Sequence, residues 1–155
     1  MKRNIETLTC FVIFLLSLII AGCNNEVIVT SQDIDNISLE IVEHQENPRG
    51  INYTLRLHNK SKQVIKQNNV YLSFPIITGT GLKGNEFKIE ARDNKLDIKP
   101  GEEVLLSVFA PEEMYEDNKN IDIESPIIEI KGYINEVIGV SQFHKTGDYR
   151  AMKDF

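Results

Sequence analysis

A strict alternation of apolar and polar residues between Ile51 and His58 is the strongest structural constraint in this sequence. The apolar positions are Ile51, Tyr53, Leu55 and Leu57, and the polar positions between and after them are Asn52, Thr54, Arg56 and His58. Because successive side chains of a β-strand point to opposite faces of a sheet, this period of two predicts a half-buried strand. A sheet with one buried face must pack against another layer. The sequence therefore predicts a domain built from packed β-sheets.

Further apolar segments follow this strand pattern on both sides. Alternating residues occur at 37–41, 70–74, 87–91 and 96–98, a nearly continuous apolar run spans 104–110, and 127–134 with 137–143 resembles a last hairpin. Turn-forming residues such as Asn47-Pro48-Arg49-Gly50 and Pro100-Gly101 separate these segments. Short strands divided by turns are typical of an antiparallel β-sandwich of about seven or more strands, and a small β-barrel is the alternative.

Two segments resemble the small immunoglobulin-like domains of bacterial cell-surface lipoproteins. The first is YTLRLHNKSKQVI, from Tyr53, and the second is LDIKPGEEVLLSVFAP, from Leu96. Those domains have a strand that ends in Asn and a turn, and a Leu-x-Ile-x-Pro-Gly-Glu corner before a central strand. The resemblance implies an immunoglobulin-like sandwich that serves as an interaction or accessory module without catalytic residues. The chain contains no Trp, so it lacks the Cys…Trp…Cys signature of antibody domains.

The N-terminal residues carry a targeting signal. Two basic residues precede an apolar run from Cys10 to Ala21, whose length is typical of a secretory signal and short for a transmembrane helix. The run ends in Ile20-Ala21-Gly22-Cys23, which resembles the lipobox of bacterial lipoproteins. In that family the cysteine thiol takes a diacylglyceryl group and the signal is cut just before it. The resemblance implies that Cys23 is the lipidated first residue of the mature protein.

Lipidation of Cys23 would determine where the protein is located. Two or more acyl chains anchor a protein stably, whereas a single chain binds only marginally. Removing Lys2, Arg3 and Glu6 with the signal leaves 15 of the 17 basic and 22 of the 23 acidic residues, a net charge of −7. Anionic bilayers repel such a domain, and nucleic acids are disfavoured as partners. We therefore expect a protein of the cell membrane, held by lipid on the extracytoplasmic side.

The predicted domain organisation follows from these patterns. We expect residues 1–22 to form the signal peptide, 23–36 the lipidated cysteine and a polar tether, 37–145 the sandwich, and 146–155 a C-terminal tail. The 13 tether residues after Cys23 span at most about 45 Å when fully extended. The domain is therefore expected to work close to the membrane.

No motif indicates catalysis, a cofactor or a metal. The segment Gly79-Thr80-Gly81-Leu82-Lys83-Gly84 matches the G-x-G-x-x-G pattern of dinucleotide sites. Those sites need a helix to begin at the motif, and here the following residues alternate as a strand. The three histidines lack the local spacing of a metal motif, and no serine lies in a G-x-S-x-G context. We expect a protein that is not an enzyme and uses no cofactor.

Residues 111–124, here called the acidic loop, form the predicted contact surface. Between residues 101 and 124 there are eight acidic residues and one basic residue, whereas residues 56–66 contain four basic residues and no acid. Met114 and Tyr115 lie between pairs of acids, and tyrosine is favoured at binding hot spots. We expect Tyr115 to act as an anchor for a partner. The expected steering charges are Glu112, Glu113, Glu116 and Asp117. Alternatively, Tyr115 caps the core beneath the loop.

Together these features predict a non-catalytic lipoprotein of the bacterial envelope that presents a β-sandwich to a protein partner outside the membrane. The alternative is a lipoprotein that binds a small ligand or a cation in a β-barrel pocket. The order Asp117-Asn118-Lys119-Asn120 departs from the alternating acids of a calcium loop, so the sequence favours the first hypothesis.

Substitution of the lipobox cysteine tests the anchor. Cys23→Ala should abolish incorporation of labelled palmitate and block normal cleavage, so that the precursor accumulates, because the acceptor thiol is gone. Cys10→Ala is the matched control and should be labelled like the unchanged protein. Equal labelling of the Cys23→Ala protein would contradict the lipobox hypothesis.

Overall fold

The computed structural model describes residues 29–148, and the structural statements below refer to this part of the chain. The predicted signal peptide, the predicted lipidation site Cys23 and most of the predicted C-terminal tail lie outside the described residues.

Strands make up most of the described chain. One short helix, α1 (Ser31–Asp35), precedes them. The strands are β1 (Ile37–Asn47), β2 (Gly50–Asn59), β3 (Ile65–Ser73), β4 (Ile76–Thr78), β5 (Gly81–Lys83), β6 (Ile89–Glu90), β7 (Glu103–Pro111), β8 (Ile127–Ile134) and β9 (Gln142–Asp148). Two single-turn 3-10 helices span Glu112–Met114 and Gly139–Ser141.

The strands form two open antiparallel sheets that pack as a sandwich. One sheet has the order β1-β2-β7, the other has the order β6-β3-β8-β9, and β4 and β5 form a separate hairpin. The predicted all-β sandwich is confirmed, and the sheets are not closed into the alternative small barrel.

The core lies between the two sheets, and β2 shows how the sequence builds it. Its predicted inward residues Ile51, Tyr53, Leu55 and Leu57 are all buried. They meet inward residues from both sheets, among them Leu106 and Val108 of β7 and Ile128 and Ile130 of β8. The apolar residues predicted to point inward from β2 are therefore the residues that form the core.

The two ends of the sandwich differ, and both are named here. At the entry end β1 begins beside the last residue of β2, where Ile37 pairs with Asn59, and β3 begins beside the end of β8, where Ile65 pairs with Ile134. At the far end Gly50 pairs with Pro111. The Gly50 φ of 141° places a hypothetical Cβ 2.2 Å from the carbonyl oxygen of Ala110, so glycine is required at this turn.

The predicted tether contains a helix that is fixed to the domain. Thr30 caps α1, because its side chain accepts a hydrogen bond from Asp33 N and the Asp33 carboxylate accepts one from Thr30 N. The Nζ of Lys145 donates to the carbonyl oxygens of Asp35 at 3.0 Å and Ile37 at 2.7 Å. Burial lowers the pKa of Lys145. The chain is thus attached to the sandwich before β1 begins.

Two predicted strands have different bounds in the structure, although β8 and β9 pair as the predicted last hairpin. Phe87 was assigned to an alternating strand at 87–91, but β6 contains only Ile89 and Glu90, and Phe87 is 64% exposed. Residues 137–141 were assigned to the last hairpin, but they form a loop, and β9 runs instead from Gln142 to Asp148, past the predicted domain boundary at 145. The φ of 63° at Asn135 turns the chain out of β8 and leaves these apolar residues without a strand partner.

Two leucine substitutions of equal size test the assignment of sheet faces. Leu55→Ala should lower the free energy of unfolding by about 2–5 kcal/mol, because Leu55 is fully buried and its loss leaves a cavity. Leu105→Ala on β7, where the side chain is 60% exposed, should change it by about 0.5 kcal/mol or less. Urea unfolding of the domain measures both, and equal losses would contradict the assignment.

Candidate functional site

An apolar groove opens at the far end of the sandwich, between the β4–β5 side and the acidic loop. Its volume is about 740 Å³, which is within the range of small-molecule sites. Eight of its eleven lining residues are apolar, and they include Phe74, Phe87, Phe109 and Met114. The polar residues at the groove are Asn85, Glu113 and Asn118.

Backbone hydrogen bonds hold the acidic loop against the β4–β5 side of the groove. The amide of Ile77 donates to the carbonyl oxygen of Asn120 at 2.6 Å, and the amide of Asp122 donates to that of Pro75 at 2.9 Å. Ile76 and Ile121 form an isolated antiparallel bridge between the same segments. The wall of the groove is therefore fixed by main-chain contacts as well as by apolar packing.

Phe87 is the most exposed aromatic ring at the groove. The side chain of Asn85 accepts a hydrogen bond from the amide of Phe87 at 2.9 Å, an Asx turn that directs the chain away from the strand predicted here. The exposed Leu82 and Ile77 lie on the neighbouring hairpin, at 50% and 46%. Exposed apolar side chains beside an apolar groove are typical of a surface that binds another protein, a membrane or a ligand.

The structure brings the five predicted contact residues together in one loop but gives them different roles. Glu113 lines the groove, and Glu116 and Asp117 are exposed. Glu112 and Glu113 lie in the first turn of the 3-10 helix. No ion pair within residues 29–148 involves these four carboxylates, so Glu113 places negative charge at the groove and the other three place it in the same loop.

Tyr115 points inward rather than standing free in solvent. Its ring centroid lies 5.7 Å from that of Phe74, and the two planes meet at 81°, an edge-to-face contact. Burial raises the pKa of Tyr115, and the nearby carboxylates of Glu112 and Glu46 add to the rise. This placement favours the alternative in which Tyr115 caps the core.

Sequence reasoning missed Phe87 and Phe109 as groove residues. Phe87 was placed on the inward phase of a strand that is not formed, and Phe109 was hidden within the continuous apolar run of β7. Phe109 alternates with the buried Val108 and Ala110 and is itself half-buried. The sequence signal for Phe109 was its position on the outward face of a strand, where a large aromatic residue indicates a contact outside the core.

A second, more polar groove of about 490 Å³ shares part of this wall. Phe109, Pro111 and Glu113 line both grooves, and the polar one adds Arg49 and Arg92. The two grooves therefore form a surface in which apolar contacts lie beside charges of both signs.

The glycine-rich segment forms a hairpin tip. Thr78 pairs with Gly81 across the turn Gly79-Thr80, and the Thr78 hydroxyl donates to the carbonyl oxygen of Gly81 at 2.7 Å. The next regular element is strand β6, not the helix that a dinucleotide site requires. This arrangement agrees with the loop interpretation of the motif.

A buried carboxylate on the four-stranded sheet has a structural role. Glu129 is 7% exposed at its side chain and contacts Lys88, Lys131 at 2.8 Å and His144 at 3.1 Å. Burial alone would raise the pKa of Glu129, but hydrogen bonds from Lys131 and Lys88 outweigh it and hold the pKa below its ordinary value. The three contacts join β8, β9 and the segment before β6.

Within the described residues, no three His, Cys, Asp or Glu side chains are arranged to hold a metal ion. No helix of residues 29–148 has the length and hydropathy needed to cross a membrane. No protein-family model matches the sequence, and no curated protein is significantly similar to it.

Two substitutions separate a capping role of Tyr115 from a binding role. Tyr115→Ala should lower the free energy of unfolding by about 1–3 kcal/mol, because the edge contact with Phe74 is lost. Tyr115→Phe keeps the ring and should be nearly neutral. Thermal melts of the domain measure both, and an unchanged melting temperature for Tyr115→Ala would return Tyr115 to the role of an exposed anchor.

Proposed function

We propose that this protein is a lipid-anchored, non-catalytic lipoprotein of the bacterial cell envelope that binds a protein partner through the apolar groove. The lipobox-like sequence that ends at Cys23 supports the anchor and the extracytoplasmic location. The groove with its acidic rim is the observation that carries the binding role. The groove lies at the end of the domain opposite to the start of β1, and so opposite to the attachment.

The chemistry of the groove indicates the kind of partner. Phe87, Phe109 and Met114 offer an apolar surface that is partly exposed in the isolated domain. An apolar side chain of a partner would bury this surface, and burial of apolar area is favourable at about 25 cal/mol per Å². The carboxylates on the rim favour a partner segment in which lysine or arginine flanks the apolar residue. Such charges mainly raise the association rate, and salt weakens their effect.

A small apolar ligand is the second candidate occupant. The groove volume of about 740 Å³ and its mostly apolar lining support this alternative. The groove lies outside the packed core, so a ligand could bind without opening the sandwich. Identifying the molecule bound in the groove in the cell distinguishes a protein partner from a small apolar ligand.

Photo-crosslinking in intact cells identifies the occupant. A benzophenone amino acid in place of Phe87 should give a discrete adduct of protein size. The same group in place of Leu105, which is comparably exposed on β7 but does not line the groove, should give none. Changing the four loop carboxylates to amides should reduce the Phe87 adduct, and this reduction should be larger at low salt.

Two other outcomes would decide against a protein partner. Equal adducts at positions 87 and 105 would contradict a specific role for the groove. A mass increase of a few hundred daltons at position 87 alone, in the size range of drug-like ligands, would favour the small ligand. Palmitate labelling of the same cells reports on the anchor independently.

A further inference from the structure

We propose that the entry end of the sandwich rests on an anionic membrane surface, with residues 136–140, here called the apolar loop, inserted among the lipid headgroups. This inference rests on the proposed lipid anchor and adds an orientation and a second membrane contact to it. The far end, with its groove, then faces away from the bilayer.

The apolar loop exposes large side chains that the core does not use. Val137 is 52% exposed, Ile138 is 47% exposed and Val140 is 84% exposed, the highest value among the exposed large apolar residues of the described chain. Glu136 is the acidic residue of the loop and stands at its start. These three aliphatic side chains lie within four consecutive residues, and apolar area exposed in this way can be buried at the boundary between lipid headgroups and acyl chains.

Hydrogen bonds hold the base of the apolar loop at the entry end. The amide of Asn135 donates to the carbonyl oxygen of Val64 at 2.8 Å, and the Asn135 side chain accepts from the amide of Val64 at 3.1 Å. Asn135 Nδ2 also donates to Gln63 Oε1 at 3.0 Å. The loop is thus fixed beside the connection between β2 and β3, which contains Lys60 and Lys62.

Several exposed lysines lie at the same end of the sandwich as this loop. The exposed lysines at the entry end are Lys60, Lys62, Lys66, Lys95 and Lys99. Asp97 pairs with Lys66 and Glu102 pairs with Lys95. Within residues 29–148 no ion pair involves the other three, so they remain available to anionic headgroups.

Both ends carry acidic residues, but their pairing differs. At the entry end Asp97 and Glu102 pair with lysines, Glu103 contacts Arg56 and His58, and Glu136 begins the apolar loop. At the far end the acidic loop carries Glu112, Glu113, Glu116 and Asp117 without an ion pair within residues 29–148, and Glu113 lines the groove. Because screening limits each interaction to about 10 Å, an anionic bilayer repels the far end more strongly than the entry end.

The length of the attachment supports the same orientation. The chain enters β1 at the entry end, where the amide of Lys60 donates to the carbonyl oxygen of Asn36 at 2.9 Å. The seven residues from Cys23 to Val29 reach at most about 25 Å, whereas β2, with 10 residues, is about 33 Å long. With the far end on the bilayer, the entry end would lie about 33 Å from it, farther than these seven residues can reach, so their length favours the upright orientation.

Tryptophan placed in the apolar loop measures its contact with lipid, because the chain contains no Trp of its own. The full lipidated protein carrying Val140→Trp is reconstituted into vesicles of anionic lipid with brominated acyl chains, which quench indole on contact. Leu82→Trp, on the far-end hairpin and 50% exposed, is the matched control. Trp at 140 should be quenched roughly threefold more strongly than Trp at 82, because interfacial side chains lie about 5–10 Å deep.

Charge reversal and vesicle flotation complete the test. Lys60→Glu, Lys62→Glu and Lys99→Glu together should return the quenching at position 140 to the level at 82. Flotation of the unchanged protein with vesicles reports on the anchor separately. If the protein floats while both tryptophans are quenched alike, the orientation is wrong and the anchor stands. If it does not float, the anchor and the orientation that rests on it both fail.

Discussion

The buried side chain of Asn59 is the contact on which the two-sheet arrangement depends at the entry end. Asn59 ends β2, and its Nδ2 donates to the carbonyl oxygens of Gln63 at 2.8 Å and Ile98 at 2.9 Å. Ile98 in turn pairs with Ile65 at the start of β3. Because β2 and β3 belong to different sheets, one amide joins both sheets and satisfies carbonyl groups that burial would otherwise leave unpaired.

Asn59 also joins the turn after β2 to the Pro100-Gly101 corner before β7. The amide of Gly101 donates to the carbonyl oxygen of Asn59 at 2.7 Å, and the amide of Asn59 donates to that of Glu102 at 3.0 Å. The Asn-containing turn and the Pro-Gly corner, read separately in the sequence, therefore meet. Hydrogen bonds close this end of the sandwich, and the groove lies among the loops of the far end.

The sequence predictions were accurate where many residues had to be buried together and inaccurate where only a few residues formed the pattern. The β2 pattern was correct because four consecutive inward positions had to be buried together. The Phe87 pattern was wrong because three alternating residues also fit an Asx turn that sends the ring into solvent. The strand predicted at 137–141 was wrong because an apolar residue does not have to be buried. Helix α1 was missed because a helix of five residues is too short to show a periodic pattern. Tyr115 was placed in the correct loop, but its direction depended on Phe74, 41 positions earlier in the chain.

The sequence by itself determined the all-β class, the inward face of β2, the acidic composition of the loop and a lipobox-like segment, because each depends on residues that are neighbours in the chain. Only the tertiary structure decided that the acidic loop and Phe87 share one groove, that Asn59 reaches Ile98, and that five exposed lysines lie at the end opposite to the acidic loop. These features join segments that are far apart in sequence. Their positions depend on how two sheets pack, and no local period of side chains encodes that arrangement.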